Sequence, residues 1–366
     1  MAKSPKKLVK SIKIFNSYNF NAKAFPINAT IFTSHKCNLG CAMCWRNTKS
    51  GEDRLNWEPV PIEIWERTIK ELKEMGCNKL QISGGGEPLL DKNFGKLAKL
   101  AKKIEMECQL TTNGTLLNKE IVDFLNEIKW DTVIISLDAP DKETNNKIRG
   151  WGFDQVIENI KYISKTNRTF SVYLQSVILP INYKKFTDLL KICNKYKLDG
   201  IVFLPFCDFK EYTNNFYENY NIPKTREEFE SFIMNVRKEF IKLDKIAKTY
   251  KLNTNIHELL VFNLIRRAPF DTCYNPWMFC VIDESGNVIP CCQLSNINKK
   301  FYLGNIRENN IREIWFGKKF ELLRRRFKKR ILYDDCNNCI ASKFNERIGI
   351  FLDPIKTISA KHKVKK

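Results

Sequence analysis

The sequence predicts an α/β fold: a six-stranded partial (β/α)6 barrel followed by a small C-terminal domain rich in cysteine. Three observations carry this. Between residue 29 and about residue 205, short β-branched or apolar runs alternate with longer segments whose apolar residues recur every three or four positions, the pattern of repeated βα units. The repeat stops after six units, short of the eight that close a full barrel. From Asp271 the pattern changes to a short hairpin and an amphipathic helix, and six of the thirteen cysteines fall there.

The strands are expected at Ala29 to Ser34, Lys79 to Ser83, Glu107 to Thr111, Thr132 to Leu137, Phe170 to Leu179 and Gly200 to Pro205. Helical periodicity fills the intervals near 61–75, 92–104, 118–128, 153–166 and 183–196. Strands joined through helices pair in parallel, because the crossover is right-handed and long. A long helix is expected at about 225–249. In the C-terminal part, WMFCVID and VIPCC flank the turn residues Glu284 to Asn287 and predict a hairpin. One amphipathic helix should then bury Ile311, Trp315, Phe316, Phe320, Leu323 and Phe327. The domain boundaries that follow are a basic extension over 1–28, the barrel over 29–207, a helical bridge over 208–270, the cysteine domain over 271–346 and a basic tail over 347–366.

A chain of 366 residues that is 43% hydrophobic can bury a real core. No apolar run approaches a membrane span, and MAKSPKKLVKSIKIF lacks the apolar stretch and cleavage site of a secretory signal, so a cytoplasmic protein is expected. Reduced thiols in that compartment make metal binding or catalysis a better reading of thirteen cysteines than a disulfide framework. Net charge is +21, and residues 318–330 hold eight basic residues against one acid. That charge serves solubility, or it favours an anionic partner or substrate.

The first strand runs into HKCNLGCAMCW, which sets Cys37, Cys41 and Cys44 in one tight loop. Four ligands are usual for a cubane cluster, so three thiolates leave one iron open to a small molecule. A zinc knuckle also uses closely spaced cysteines but needs a fourth ligand nearby. Strand two ends in SGGGEP, strand three in TTNG and strand four in SLDAP, all at the carboxyl rim where parallel α/β folds do their chemistry.

On these residues the chain resembles the radical S-adenosylmethionine (SAM) superfamily, whose C-x3-C-x2-C loop follows the first strand of a six-stranded partial barrel. The resemblance implies that Cys37, Cys41 and Cys44 hold a 4Fe-4S cluster whose open iron is chelated by SAM. It implies contact of Gly85, Gly86 and Glu87 with the SAM amino group. Ser136 and Arg149, the latter within Ile148-Arg149-Gly150, become candidates for the SAM carboxylate. Ala139 replaces the usual glycine of the fourth-strand motif.

Downstream, Cys273, Cys291, Cys336 and Cys339 suffice for a second cluster, with Cys280 and Cys292 as spare thiols that could substitute. This set resembles the SPASM and twitch domains of many radical SAM enzymes and implies one auxiliary 4Fe-4S cluster; four-cysteine zinc is the rival. The resemblance further implies reductive cleavage of SAM to a 5'-deoxyadenosyl radical, with an electron from a partner such as flavodoxin or ferredoxin. With four cysteines the auxiliary cluster needs no substrate ligand, which favours an electron relay and an oxidation of an unknown substrate. Cys207, just past the sixth strand, offers an alternative as hydrogen donor in an epimerase. Cys77, Cys108 and Cys193 read as buried structural thiols. A zinc-containing nucleic-acid-binding protein is the alternative from another class.

Overall fold

The computed structural model describes residues 25–48, 58–207, 216–261, 273–291, 301–333 and 336. By contacts the chain divides into two compact units, Ile31–Pro59 with Leu80–Leu264, and Met1–Thr30 with Val60–Lys79 and Ile265–Lys366. Residues 60–79, inside the expected barrel segment, thus group with the C-terminal segment, and most of the expected helical bridge groups with the barrel.

The strands of the barrel segment are β1 (Asn28–Ile31), β2 (Lys79–Ile82), β3 (Glu107–Thr112), β4 (Thr132–Ser136), β5 (Ser171–Ile178) and β6 (Gly200–Pro205), side by side in chain order. From β3 to β6 the pairing is parallel, with Leu110 opposite Val133, Ile135 opposite Leu174 and Val177 opposite Leu204. β4 is buried at all five residues, as a central strand covered on both faces must be. The helices expected between the strands are present at α1 (Ile62–Glu74), α2 (Phe94–Lys103), α3 (Lys119–Glu127), α5 (Phe153–Lys165) and α6 (Phe186–Lys195). Each presents an apolar stripe to its core, such as Leu189, Leu190 and Cys193 of α6.

Three features of this segment were not expected. A helix α4 (Lys142–Arg149) follows β4, capped by Asp141, whose Oδ1 accepts the Thr144 N–H at 2.9 Å. A short helix α7 (Phe216–Asn219) precedes the long helix α8 (Arg226–Thr249), which lies where it was expected and opens on a Thr225–Glu228 capping box. It packs Phe240 against Phe186 and Phe203 in the same core. The chain then adds a seventh strand, β7 (Asn253–Thr254), parallel to β6, before α9 (Ile256–Val261). The expected bridge therefore extends the sheet.

In the C-terminal unit, β8 (Phe279–Ile282) and β9 (Asn287–Ile289) form the expected antiparallel hairpin, and β10 (Gly304–Asn305) pairs with β9. Its turn needs Gly286, at φ 86°, and is tied by Asp283 Oδ1, which accepts the Ser285 and Asn287 N–H groups. The single amphipathic helix expected next is two, α10 (Ile311–Phe316) and α11 (Lys318–Lys328), because Gly317 is extended and breaks the periodicity. Phe316 is accordingly half-buried, and Ile314 and Arg324 take buried positions instead. Among the described residues no helix is long and apolar enough to cross a membrane.

Candidate active site

Residues following β1 to β4 converge in the larger unit. Past β1, Ser34 O accepts the Gly86 N–H at 2.5 Å and Lys36 O accepts the Glu87 N–H at 2.8 Å, so the glycine loop after β2 lies directly on the chain that enters the cysteine loop. A Cβ at position 86 would stand 2.0 Å from Lys36 O, and Gly85 sits at φ 67°. Only glycine fits position 86, and Gly85 takes a left-handed conformation that favours glycine. Arg46 fastens the two loops from below, donating to His35 O and, at 3.2 Å, to Gly85 O.

Glu87 is 2% exposed and its carboxylate is fully engaged. Oε1 accepts Thr112 Oγ1–H at 2.6 Å and the Leu89 N–H at 3.2 Å, and Oε2 accepts the Asn113 N–H at 2.7 Å. Burial pushes this carboxyl above the ordinary range, against the opposing pull of those hydrogen bonds. The side chain thus clamps the end of β2 to the end of β3, and what it can offer a ligand is the position of the glycine loop.

The cysteine loop is held from two sides. On one, Asn113 Nδ2 donates to Asn38 Oδ1 at 2.8 Å and reaches Cys37 Sγ at 4.0 Å. On the other, the end of α4 supplies Ile148 O to the Ala42 N–H at 2.8 Å, and Arg149 Nη1 stands 3.8 Å from Cys41 Sγ. Arg149 is fixed by Asp138: its Nε lies 2.7 Å from Asp138 Oδ2. Asp138 Oδ1 accepts the Val177 N–H at 2.6 Å, and Asn182 donates to Asp138 O at 2.8 Å. Ser136, the last residue of β4, is buried two positions before Asp138.

Burial pushes the Cys41 thiol up to about 12 and raises Cys44 as well, with Arg149 and Arg46 pulling the other way. A cation at the sulfur stabilises the thiolate form, and a bound metal ion does so outright. N–H donors at Cys37 and Cys41 sulfur suit metal-bound thiolate, so the donor chemistry fits an iron-sulfur cluster, while among the described residues no three metal-ligating side chains are gathered as a ready ligand set. Asn113, Arg46 and the Asp138 partner of Arg149 were missed as site residues by the sequence reading. The TTNG and SLDAP motifs contain two of them, but only the fold shows where they point.

Cys207 lies just past β6 and is half-buried, while Cys77, Cys108 and Cys193 are fully buried. In the C-terminal unit, Cys273 and Cys336 pack against one hydrophobic cluster of Tyr274, Trp277, Met278, Leu323 and Phe327. Cys291 follows β9 at Pro290. Cys280 is enclosed on β8, where burial drives its thiol pKa up. Cys339 and Cys292 lie outside the described residues.

Residues 31–193 match the Radical SAM superfamily, and residues 273–340 match the SPASM iron-sulfur cluster-binding domain. The "Probable GTP 3',8-cyclase" of Pyrococcus abyssi is 30% identical over 218 residues, 57% of this chain and 67% of that protein. The antilisterial bacteriocin subtilosin biosynthesis protein AlbA of Bacillus subtilis is 24% identical over 324 residues, 86% of this chain and 66% of that one. The chain spans about half to two thirds of the length of the curated relatives it matches. Among solved structures, Streptococcus suis SuiB bound to precursor peptide SuiA superposes with a TM-score of 0.67 at 19% identity, over 88% of this chain and 73% of that one. The enzyme anSMEcpe with bound AdoMet and Cp18Cys peptide does so at 0.61 and 20% identity, over 87% of each chain. At these identities the structural likeness is one of fold.

Proposed function

The chain belongs to the radical SAM superfamily and carries a SPASM-type iron-sulfur domain, and from that premise we propose that it oxidises a peptide substrate at an unactivated C–H bond. Its cofactors are 4Fe-4S clusters and SAM. That displaces the zinc-protein alternative for the cysteines.

The observation that carries the reading is the pair of buried N–H donors, from Asn113 and Arg149, at the sulfurs of Cys37 and Cys41. Cys37, Cys41 and Cys44 are assigned to the SAM-binding cluster, and Cys273, Cys291, Cys336 and Cys339 to the auxiliary one. When bound, the first cluster and SAM together supply one-electron cleavage of the sulfonium and a 5'-deoxyadenosyl radical that takes hydrogen from substrate. The chain's own part is positional. Glu87 holds Gly85 and Gly86 against Lys36, where the SAM amino group is assigned; Ser136 and Arg149 are assigned to its carboxylate, since a guanidinium matches that group's geometry. Asp138 keeps Arg149 from turning away. A reducing partner of the flavodoxin or ferredoxin class would supply the electron.

Peptide is favoured as substrate because two solved structures of the same fold hold one, the SuiB and anSMEcpe complexes. Oxidation is favoured because four cysteines leave the auxiliary cluster no open position for substrate, so it suits an electron relay. The test is anaerobic incubation of the reconstituted protein with SAM and dithionite. The reading expects 5'-deoxyadenosine, and colourless, iron-free protein that leaves SAM intact would overturn it.

A second reading, epimerisation, is favoured by the position of Cys207, half-buried just past the carboxyl end of β6. Cys207→Ala separates the two in deuterated solvent. A dehydrogenase keeps forming oxidised product, whereas an epimerase loses both the inverted product and solvent deuterium.

A further inference from the structure

A groove of about 780 Å³ opens on the C-terminal unit, whereas the candidate active site is built in the other. One stripe of α11 forms its wall. Lys319, Leu322, Arg326 and Lys329 recur at intervals of three and four residues, the spacing that sets side chains one above another on a helix face. Leu322 is 55% exposed, and Ile331, just past the helix, is 47% exposed. Both line the groove beside the buried Leu323, so it has an aliphatic floor open to water.

The rim is cationic. Lys319, Arg325, Arg326 and Lys329 line the groove, with no carboxylate among its described lining residues. Arg325 pairs with Glu321, which lies outside the lining. Lys319 and Arg326 instead donate to backbone oxygens, of Tyr302 at 3.4 Å and Leu332 at 3.3 Å, which leaves their charge without an acid to balance it. The rings are less available. Arg326 covers Tyr333 at 4.4 Å, and Phe301 is buried with its ring edge-on to Tyr333, so two of the three rings lining the groove offer a nucleobase little open face. The functional reading uses none of this.

We infer that the groove binds an extended acidic segment of a peptide substrate, in which two carboxylates flank one aliphatic side chain at alternate positions. This rests on the peptide reading above and names a recognition element for it. Lys319 and Lys329 are ten residues apart along α11, about 15 Å at 1.5 Å per residue. An extended peptide advances about 3.3 Å per residue and turns every second side chain to the same face, so positions i and i+4 lie about 13 Å apart with i+2 between them. Carboxylates at i and i+4 then meet Lys319 and Lys329, and an aliphatic side chain at i+2 meets Leu322 and Ile331. Nucleic acid would match the charge but brings no aliphatic group to the floor. The chain's own tail fits poorly, because residues 354–366 carry five lysines and no acid. A second copy, with its net charge of +21, would bring the same positive field to the contact.

The test follows the fluorescence anisotropy of a labelled synthetic peptide with the core Glu-Ser-Leu-Ser-Glu on the full-length reconstituted protein, at low and high salt. Lys319 and Lys329 are exposed, so Lys319→Glu with Lys329→Glu spares folding, which a melting temperature equal to wild type verifies. In that double variant the affinity for the peptide should fall about tenfold and lose most of its salt dependence. Leu322→Ser should weaken binding while keeping the salt dependence, and a peptide with Asn in place of the central Leu should bind wild type correspondingly weakly. Formation of 5'-deoxyadenosine from SAM and dithionite should match wild type in every variant, since none of these residues is assigned to SAM or to a cluster. Wild-type affinity and salt dependence in the double variant would overturn the site, as would equal binding of the Leu and Asn peptides. So would a uridine decamer that binds more tightly than the peptide and loses that affinity in the double variant, or a dimer broken by Leu322→Ser. Failure of wild type to cleave SAM with dithionite would instead count against the functional reading, with peptide binding still deciding the groove.

Discussion

Nε of Arg149 lies 2.7 Å from Oδ2 of Asp138, in a pair almost closed to solvent, and the same guanidinium reaches Cys41 Sγ through Nη1 at 3.8 Å. One buried carboxylate thereby fixes a cation beside the cysteine loop. Desolvation works against the Arg149 charge, and Asp138, the largest of the opposing influences, restores it. A fixed cation here suits both a thiolate-bound cluster and an anionic group of its ligand.

Asp138→Asn should therefore be costly. It leaves a buried guanidinium without its counter-charge, an effect of about 3–5 kcal/mol in comparable pairs. Urea denaturation under anaerobic conditions checks this, and a midpoint equal to wild type would show the pair to be dispensable.

Glu87→Gln keeps the shape of the side chain but turns one amide N–H toward the Asn113 or Leu89 N–H. The loss of a charged acceptor facing buried donors should cost about 1–3 kcal/mol. SAM affinity, read by equilibrium dialysis, should fall as the Gly85–Gly86 loop loosens, while iron content stays at the wild-type level.

Acid should loosen the start of α4. Burial raises the Asp141 carboxyl, but hydrogen bonds from Thr144 and Lys185 outweigh it and hold the group below its usual value. A carboxyl depressed in the fold stabilises above the unfolded value of about 3.9, and that contribution disappears as pH falls through the lower folded value. Asn also caps helices. The stability gap between wild type and Asp141→Asn should thus be open at pH 6 and close on acidification, as thermal melts across that range would show.

Arg324 behaves as a core residue in the middle of the most basic segment. It is 3% exposed, stacks on Trp315 and Phe320 at 4.5 and 4.6 Å, and donates to Pro276 O and Trp315 O. Arg324→Ala should destabilise by about 2–4 kcal/mol through lost stacking and two orphaned carbonyls. Arg325→Ala, on the exposed side of α11, should change the melting temperature little.

These contrasts show what the sequence could reveal. The six strands lie within a few residues of their expected places, because β-branched runs are a local signal. The cysteine loop was legible for the same reason. Helix α4 was not, since KETNNKIR offers Asn and Thr, weak helix formers, and only one aliphatic side chain. Its carriage of Arg149 to Cys41 joins residues 108 apart in sequence, a contact that no periodicity encodes. The break at Gly317 turned one expected helix into two, and the run of charge over residues 318–330, taken as serving solubility or an anionic partner, concealed the burial of Arg324.

The most direct test replaces Cys37, Cys41 and Cys44 together with Ala and counts iron in the reconstituted protein alongside SAM cleavage. With a separate ligand set in the C-terminal domain, the variant should retain about four irons per chain and produce no 5'-deoxyadenosine. Complete loss of iron, or SAM cleavage that survives the triple replacement, would contradict two independently held clusters with the first as the seat of chemistry.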